Sequence, residues 1–194
     1  MWRLLEQGAR HAAGGRAVLS TATYPNHATF ITGALPEAHG VVTNQVWDGT
    51  RFVRSSKIGP SSETLFAAAR RAGVSTSAVL GDQELVGVMG AAAADCHWPP
   101  QGQLPEGVLL DEFRYAADAA VLGAIGETSA LEADLAVVHL NDPDTACHIF
   151  GPDSEEARMR FHATDAAFGQ LLELLAPQWD ETIVFVVSDH DQET

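Results

Sequence analysis

Cysteine is scarce: Cys96 and Cys147 are the only two in 194 residues. Two thiols make no disulfide framework, so a reduced, cytoplasmic setting is the expectation. Basic residues are also few, 11 Lys and Arg against 26 Asp and Glu, for a formal charge of −15. A surface of that sign repels nucleic-acid backbones and anionic membranes, and neither is expected as a partner. Bound divalent cations would offset part of the excess. No apolar run approaches the length of a membrane span. The opening "MWRLLEQGARHAAGG" reads as a short amphipathic helix, without the basic region, apolar core and cleavage site of a secretory signal. Neither G-x-S-x-G nor G-x-x-x-x-G-K-[ST] occurs, which argues against a serine hydrolase and against a phosphate-loop nucleotide-binding protein.

What is present is an alternation of buried runs and amphipathic ones. The chain is long enough for one domain with a sizeable core, and its 46% hydrophobic content is ordinary for a globular protein. Three stretches read as strands: "VSTSAVL" (residues 74–80), "DLAVVHL" (residues 134–140) and "TIVFVVS" (residues 182–188). The last two are nearly continuous apolar runs, the pattern of strands covered on both faces. Helices are expected in "SSETLFAAARRAG", capped by Ser61 or Ser62 and closed at Gly73, and in "DEFRYAADAAVLGAIGE". A third, "SEEARMRFHATDAAFGQLLELLAP", puts Ala157, Phe161, Phe168, Leu171 and Leu175 on one face. Strand–helix alternation of this kind predicts an α/β fold with a largely parallel central sheet and helices on both faces. Sites in such folds form beyond the carboxyl ends of the strands. No linker divides the chain. Residues 81–107 read as an irregular excursion or lid.

Four clusters could carry chemistry. In "STATYPNHATFITG", Thr23 would sit just before a helix capped by Asn26, where backbone N–H groups favour an anion. A threonine hydroxyl is a nucleophile only when a base or metal removes its proton. In "NDPDTACHIFGP", Asp144 and His148 are four apart, a spacing that suits one side of a helical turn. Carboxylate plus imidazole suits zinc and similar divalent ions. In "SDHDQET", Asp189 and His190 follow an apolar run, and in "HGVVTN" Asn44 is a neutral donor for a phosphoryl oxygen. Each cluster has a plainer reading. Thr23 would be a turn residue, Asp142 or Asp144 a helix cap beside an incidental histidine, Asp189 a strand-end cap and Asn44 a turn asparagine. Taken together, the four outline a two-metal hydrolase, which needs an activated hydroxyl, two sets of Asp/His ligands and one further oxygen-binding donor.

Their order and spacing resemble the type I phosphodiesterase/nucleotide pyrophosphatase branch of the alkaline phosphatase superfamily. "TYPNHATFITGALPEAHGVVTN" is similar to the family's nucleophile segment, typically Thr-Phe-Pro-Asn-His, then Thr-Gly, Pro, His-Gly and Asn. "DPDTACHIFGP" is similar to its Glu-Pro-Asp, Gly-His and Gly-Pro; "DAAFGQLL" matches a following helix, and "VVSDH" its Ser-Asp-His. The resemblance implies an alkaline phosphatase-like fold and hydrolysis of phosphoric esters, diesters or nucleotide pyrophosphates, through a covalent phospho-threonine at Thr23. It implies that Asn44 binds a phosphoryl oxygen and that Asp144 and His148 hold one divalent metal, zinc by preference. Asp189 and His190, with Thr23, would hold the other. His27, His39, Gly33, Gly40, Asp165 and Gly169 match the pattern as structural positions. The substrate would be a small phosphate ester or nucleotide.

Departures accompany the match. The family's first aspartate ligand lies upstream of the nucleophile segment and its last histidine ligand well beyond Ser-Asp-His, so four of six Asp/His ligands are expected here: Asp144, His148, Asp189 and His190. Cys147 stands where a glycine is usual, and so does Asp191; either would add a ligand or spoil the pocket. Residues 1–194 are thus expected to be a single, incomplete catalytic-domain fragment. Loss of the first strand would expose a sheet edge or leave a central gap, an aggregation liability. The alternative function is a catalytically impaired or inactive remnant that binds metal or phosphate weakly. Monoesterase and phosphonate hydrolase branches are also open; the sulfatase branch is disfavoured because no Cys/Ser-x-Pro-x-Arg motif occurs.

Overall fold

The run "TSAVL" is buried at every position, because helices cover it on both sides and strands flank both its edges. The computed structural model describes residues 2–192, and side chains from residue 4 onward. In chain order, α1 (Trp2–Gln7), α2 (Thr23–Thr32) and α3 (Pro36–His39) precede an antiparallel hairpin of β1 (Gln45–Trp47) and β2 (Phe52–Arg54). There follow α4 (Leu65–Ala72), β3 (Thr76–Leu80), α5 (Leu85–Val88), β4 (Cys96–Trp98), α6 (Asp118–Thr128), β5 (Leu135–His139), α7 (Asp142–Phe150) and α8 (Glu155–Leu175). The central sheet is parallel in the order β4–β3–β5, with Ser77 opposite Cys96 and Leu80 opposite His139.

Alternation along β3 sorts the core into two layers. Ala78 and Leu80 face one way and pack with Tyr24, Ala28 and Ile31 of α2, Phe66 of α4, and Leu85 and Val88 of α5. Val79 faces the other way, onto Val121 and Ile125 of α6 and Phe168 and Leu171 of α8. The fold is therefore α/β with helices on both faces of a parallel sheet, as the alternation of runs predicts.

Several local expectations need correction. Residues 182–188 form no strand: the chain is extended there but joins no ladder, and Ile183, Phe185 and Val187 are exposed. An apolar run supplies strand propensity but not the partner edge, and among the described residues β5 pairs only with β3. Val184 alone of the run packs against the core. Residues 81–107 are not a lid. They contain the edge strand β4 and the buried turn of α5, whose Leu85 and Val88 are fully covered. α4 is capped by Thr64, whose hydroxyl accepts from the Ala67 N–H, rather than by Ser61 or Ser62. Its end at Gly73 (φ 75°) is the left-handed closure expected of glycine. The helix read from residue 111 begins only at Asp118, and Phe161 on α8 faces solvent.

One close approach ties the sheet to the segment beyond β5. A Cβ on Gly81, at the end of β3, would lie 2.0 Å from Asn141 Oδ1 and 3.2 Å from the Ala116 carbonyl oxygen. Gly81→Ala should therefore destabilise the fold by about 1–3 kcal/mol, the usual cost of overpacking. Urea unfolding measures it, and an unchanged midpoint would mean that Asn141 yields freely.

Candidate active site

α2 starts at Thr23 after an extended Ala22 (φ −118°, ψ 156°) that offers no side-chain cap, so its first N–H groups must find partners elsewhere. Asn26 does not cap, because it lies inside the helix. Its side chain accepts the Val18 N–H (2.9 Å) and donates to the Ala22 carbonyl (2.9 Å), fastening the incoming chain. Thr23 thus stands in the first turn rather than just before it, with its Oγ1 3.3 Å from His190 Nε2.

The loop that carries Asn44 is brought to the same turn by His39. This fully buried imidazole donates from Nε2 to the Thr29 hydroxyl (3.0 Å) and accepts the Val41 N–H at Nδ1 (3.1 Å). Both nitrogens are committed to the neutral form, and burial lowers the pKa. The Thr29 hydroxyl itself donates to the Pro25 carbonyl (2.8 Å), closing a brace from α2 to α3. Asn44 Oδ1 then accepts the Tyr24 N–H at 3.0 Å. Spending Oδ1 in this way leaves the Nδ2 donors as the groups that can meet a phosphoryl oxygen.

α7 presents Asp144 and His148 one turn apart, with Asp144 Oδ1 3.6 Å from His148 Nε2. Its amino end is held by Asp142, which the sequence offered as a helix cap, and by Asp118 and Asp111, which it did not single out. Asp118, first residue of α6, accepts the N–H groups of Asn141 (2.9 Å) and Asp142 (3.2 Å). Asp142, first residue of α7, accepts the Asp118 N–H in return (3.2 Å). Each helix thus caps the other. Asp111 takes the Asn141 amide (2.8 Å) and the Thr145 hydroxyl (2.6 Å) on one oxygen and two backbone N–H groups on the other. Burial, with Asp118 beside it, pushes the Asp142 carboxyl up to about 6. The available signal was an aspartate opening a helix, common enough that it distinguishes nothing alone.

Asp189 and His190 close the cluster from the far end of the chain. Asp189 Oδ2 is 3.3 Å from His190 Nε2 and 3.6 Å from His27 Nδ1, while His190 Nε2 is 3.9 Å from Asp144 Oδ1. The structure therefore gathers Thr23, Asp144, His148, Asp189 and His190 in one place, with Asn44 beside Thr23 through the Tyr24 backbone. His27 is buried and meets the Thr23 carbonyl at 2.8 Å. Burial lowers its pKa against the opposing pull of Asp189. Gln192 donates to Asp144 Oδ1 (2.6 Å). At the two substituted glycine positions, the Asp191 carboxylate accepts the Gln192 N–H, and Cys147 is buried with Ala146 and Ala157. Burial pushes the Cys147 thiol up, which holds it protonated.

The donors suit divalent metals in kind, being carboxylate oxygen, imidazole nitrogen and one hydroxyl. They pair two by two, Asp144 with His148 and Asp189 with His190. Among the described residues no group of three or more His, Cys, Asp or Glu side chains is arranged to hold a metal ion.

The sequence profile of the family described as "Type I phosphodiesterase / nucleotide pyrophosphatase" matches residues 1–194. The chain belongs to this family. It is 28% identical over 196 residues to a venom phosphodiesterase of Macrovipera lebetinus, covering 94% of this chain and 22% of that protein. It is 26% identical over 198 residues to ectonucleotide pyrophosphatase/phosphodiesterase family member 3 of Rattus norvegicus, covering 93% and 21%. The chain thus spans about a fifth of the length of these relatives. Murine ectonucleotide pyrophosphatase/phosphodiesterase 5 superposes with a TM-score of 0.63 at 23% identity, over 83% of this chain and 43% of that one. An inactive variant of that murine protein, solved with AMP, gives 0.62 at 22% identity, over 83% and 42%. The shared architecture is the alkaline phosphatase-like one. Among the described residues no helix is long and apolar enough to cross a membrane.

His139, at the end of β5, lies across the His27 ring (centroids 5.1 Å apart), and its Nδ1 is shielded from water without a partner. The residue as a whole is only half-buried, but desolvation of the ring, with His27 alongside, drives its pKa well below the ordinary value of 6.5. A folded-state pKa below the unfolded one contributes stability that is present above 6.5 and lost on acidification. His139→Phe should remove this dependence, so that the urea midpoints at pH 5 and pH 7 draw together; an undiminished gap would contradict a neutral buried imidazole.

Proposed function

We propose that this chain is part of the catalytic domain of a hydrolase for phosphoric esters, either phosphodiesters or nucleotide pyrophosphates, with Thr23 as nucleophile. The supporting observation is the contact of Thr23 Oγ1 with His190 Nε2 at 3.3 Å, from the far end of the chain, with Asn44 held beside it on the Tyr24 N–H. Family membership and the AMP complex of the murine neighbour support a small nucleotide or phosphate ester as substrate. The acidic surface argues against nucleic-acid backbones. The unpaired state of Cys96 and Cys147 suits a reducing, cytoplasmic setting.

In this reading the ester phosphorus sits between Thr23 Oγ1 and the leaving oxygen. His190 Nδ1 lies 3.2 Å from the Asp191 carbonyl, and its Nε2 faces both Thr23 Oγ1 (3.3 Å) and Asp189 Oδ2 (3.3 Å). This contact orients the Thr23 hydroxyl, whose oxygen is turned to the phosphorus. Attack forms the Oγ–P bond and breaks the bond from phosphorus to the leaving oxygen, which takes up the proton that Thr23 gives up. Water then cleaves the phospho-threonine and restores the hydroxyl, so the net change is a diester plus water to a phosphate monoester and an alcohol, or a nucleotide pyrophosphate plus water to two phosphate products. Asn44 Nδ2 donates to a non-bridging oxygen as charge builds there. Two divalent cations, zinc by the donor set, would be held by Asp144 with His148 and by Asp189 with His190 and Thr23; they supply charge neutralisation and an acidified hydroxyl.

A second reading is an impaired remnant that binds metal or phosphate weakly. The two-by-two pairing of the donors favours it, since each cation would have few protein ligands. The purified chain, given excess zinc, should hydrolyse a chromogenic phosphodiester faster than the matching monoester. Thr23→Ala should lower that rate on the order of 10³-fold or more, as loss of a nucleophile does. A folded wild-type chain with no turnover would favour the remnant.

A further inference from the structure

We propose that Tyr24, Arg54, Tyr115 and Asp82 form a positioning knot that sets Asn44 against Thr23. The inference rests on the hydrolase reading for its consequence and on geometry for its existence. Asn44 lies at the base of the β1–β2 hairpin. Ser55, just past β2, donates its N–H to the Asn44 carbonyl (3.1 Å) and its hydroxyl to the Thr43 carbonyl (2.5 Å). Wherever the hairpin goes, Asn44 goes too. Yet the hairpin has little apolar anchorage, for Trp47 and Phe52 stack on each other in solvent and no hairpin residue belongs to either large core cluster.

Its attachment to the body is polar and runs through Arg54. The Arg54 Nη1–H donates to the Tyr24 hydroxyl (3.0 Å), and Nε lies 3.7 Å from Glu84 Oε1. The Ser56 hydroxyl donates to the second Glu84 oxygen. Tyr24 is 2% exposed and adjoins Thr23 in sequence, so it acts at both ends. Its backbone N–H holds Asn44 Oδ1 directly, and its phenol holds the hairpin by way of Arg54. Tyr115, in the turn before α6, and the buried Asp82, just beyond β3, lie near enough to Tyr24 and Arg54 to act on them electrostatically. Four segments distant in sequence thus meet around one phenol.

The groups facing Asp82 are Tyr24 of α2, Arg54 of β2, Tyr115, and Glu84 of its own segment, whose N–H donates to Asp82 Oδ1 (2.8 Å). Burial pushes the Asp82 carboxyl up to about 7, against the Glu84 N–H and Arg54, which pull it down. The Asp82 charge is therefore lost as pH falls through neutrality, and Glu84 Oε1, at 3.7 Å, is the other carboxylate facing Arg54. Asp82→Asn keeps the shape and removes the titration.

Residue-resolved amide hydrogen exchange tests the knot without catalysis. Arg54→Gln and Tyr24→Phe should speed exchange at the Tyr24 and Ser55 amides by about tenfold, leaving the β3 amides unchanged. Both variants should lower kcat on the phosphodiester by about 10–100-fold with KM nearly constant, the signature of a misplaced group. Asp82→Asn should flatten any step in kcat between pH 6 and 8. Unchanged exchange at both amides, or equal acceleration in β3, would overturn the knot. A wild-type chain without turnover would overturn the functional reading alone, since the exchange result still decides whether the knot holds Asn44.

Discussion

Two buried aspartates that cap each other's helices fix the geometry on which the candidate site depends. Asp118 opens α6 and takes the N–H groups at the start of α7, and Asp142 opens α7 and takes the N–H at the start of α6. The arrangement answers a local demand, since helix amino ends buried in a fold leave donors that must be paired. It also joins the helix on one face of the sheet to the helix bearing Asp144 and His148. Arg160 supplies the balancing charge at 3.4 Å from Asp142, and the Thr164 hydroxyl donates to Asp118. Without this exchange, α7 would have no fixed start, and its two candidate ligands no fixed direction.

The site built on that base concentrates like charge. Asp144 and Asp189 approach the same imidazole, on a chain of net charge −15. Bringing carboxylates together in a poorly solvated place is unfavourable unless cations or donors offset the repulsion. Histidines and hydroxyls partly do so, which is why His27, His190 and Gln192 crowd the carboxylates.

Much of this was legible in the sequence. Residues 74–80 and 134–140 contain β3 and β5, although it is β3, with Thr76 and Ser77 in it, that is buried throughout, while the more apolar β5 is only partly covered. The four-residue spacing of Asp144 and His148 foretold one helical face, since 3.6 residues make a turn. Other features were not legible. The three-residue β4 is too short to show a period, and its strand character comes from pairing with β3. The run at residues 182–188 shows the opposite case, strong local preference without a ladder to join. Asn26 and Thr64 reversed the expected capping, because side-chain partners in space decide which of several polar residues caps. The reciprocal Asp118–Asp142 caps, the brace at His39 and the Tyr24–Arg54 contact join residues far apart in the chain, and no spacing rule marks them.

The central claim is that Thr23 carries the phosphoryl group during turnover. Acid quenching during hydrolysis of a phosphodiester, followed by proteolysis and mass spectrometry, tests it most directly. The account predicts a phosphoryl group on Thr23 that appears with substrate and disappears as substrate is exhausted. Turnover with no phosphorylated Thr23, or with the group on another side chain, would contradict it.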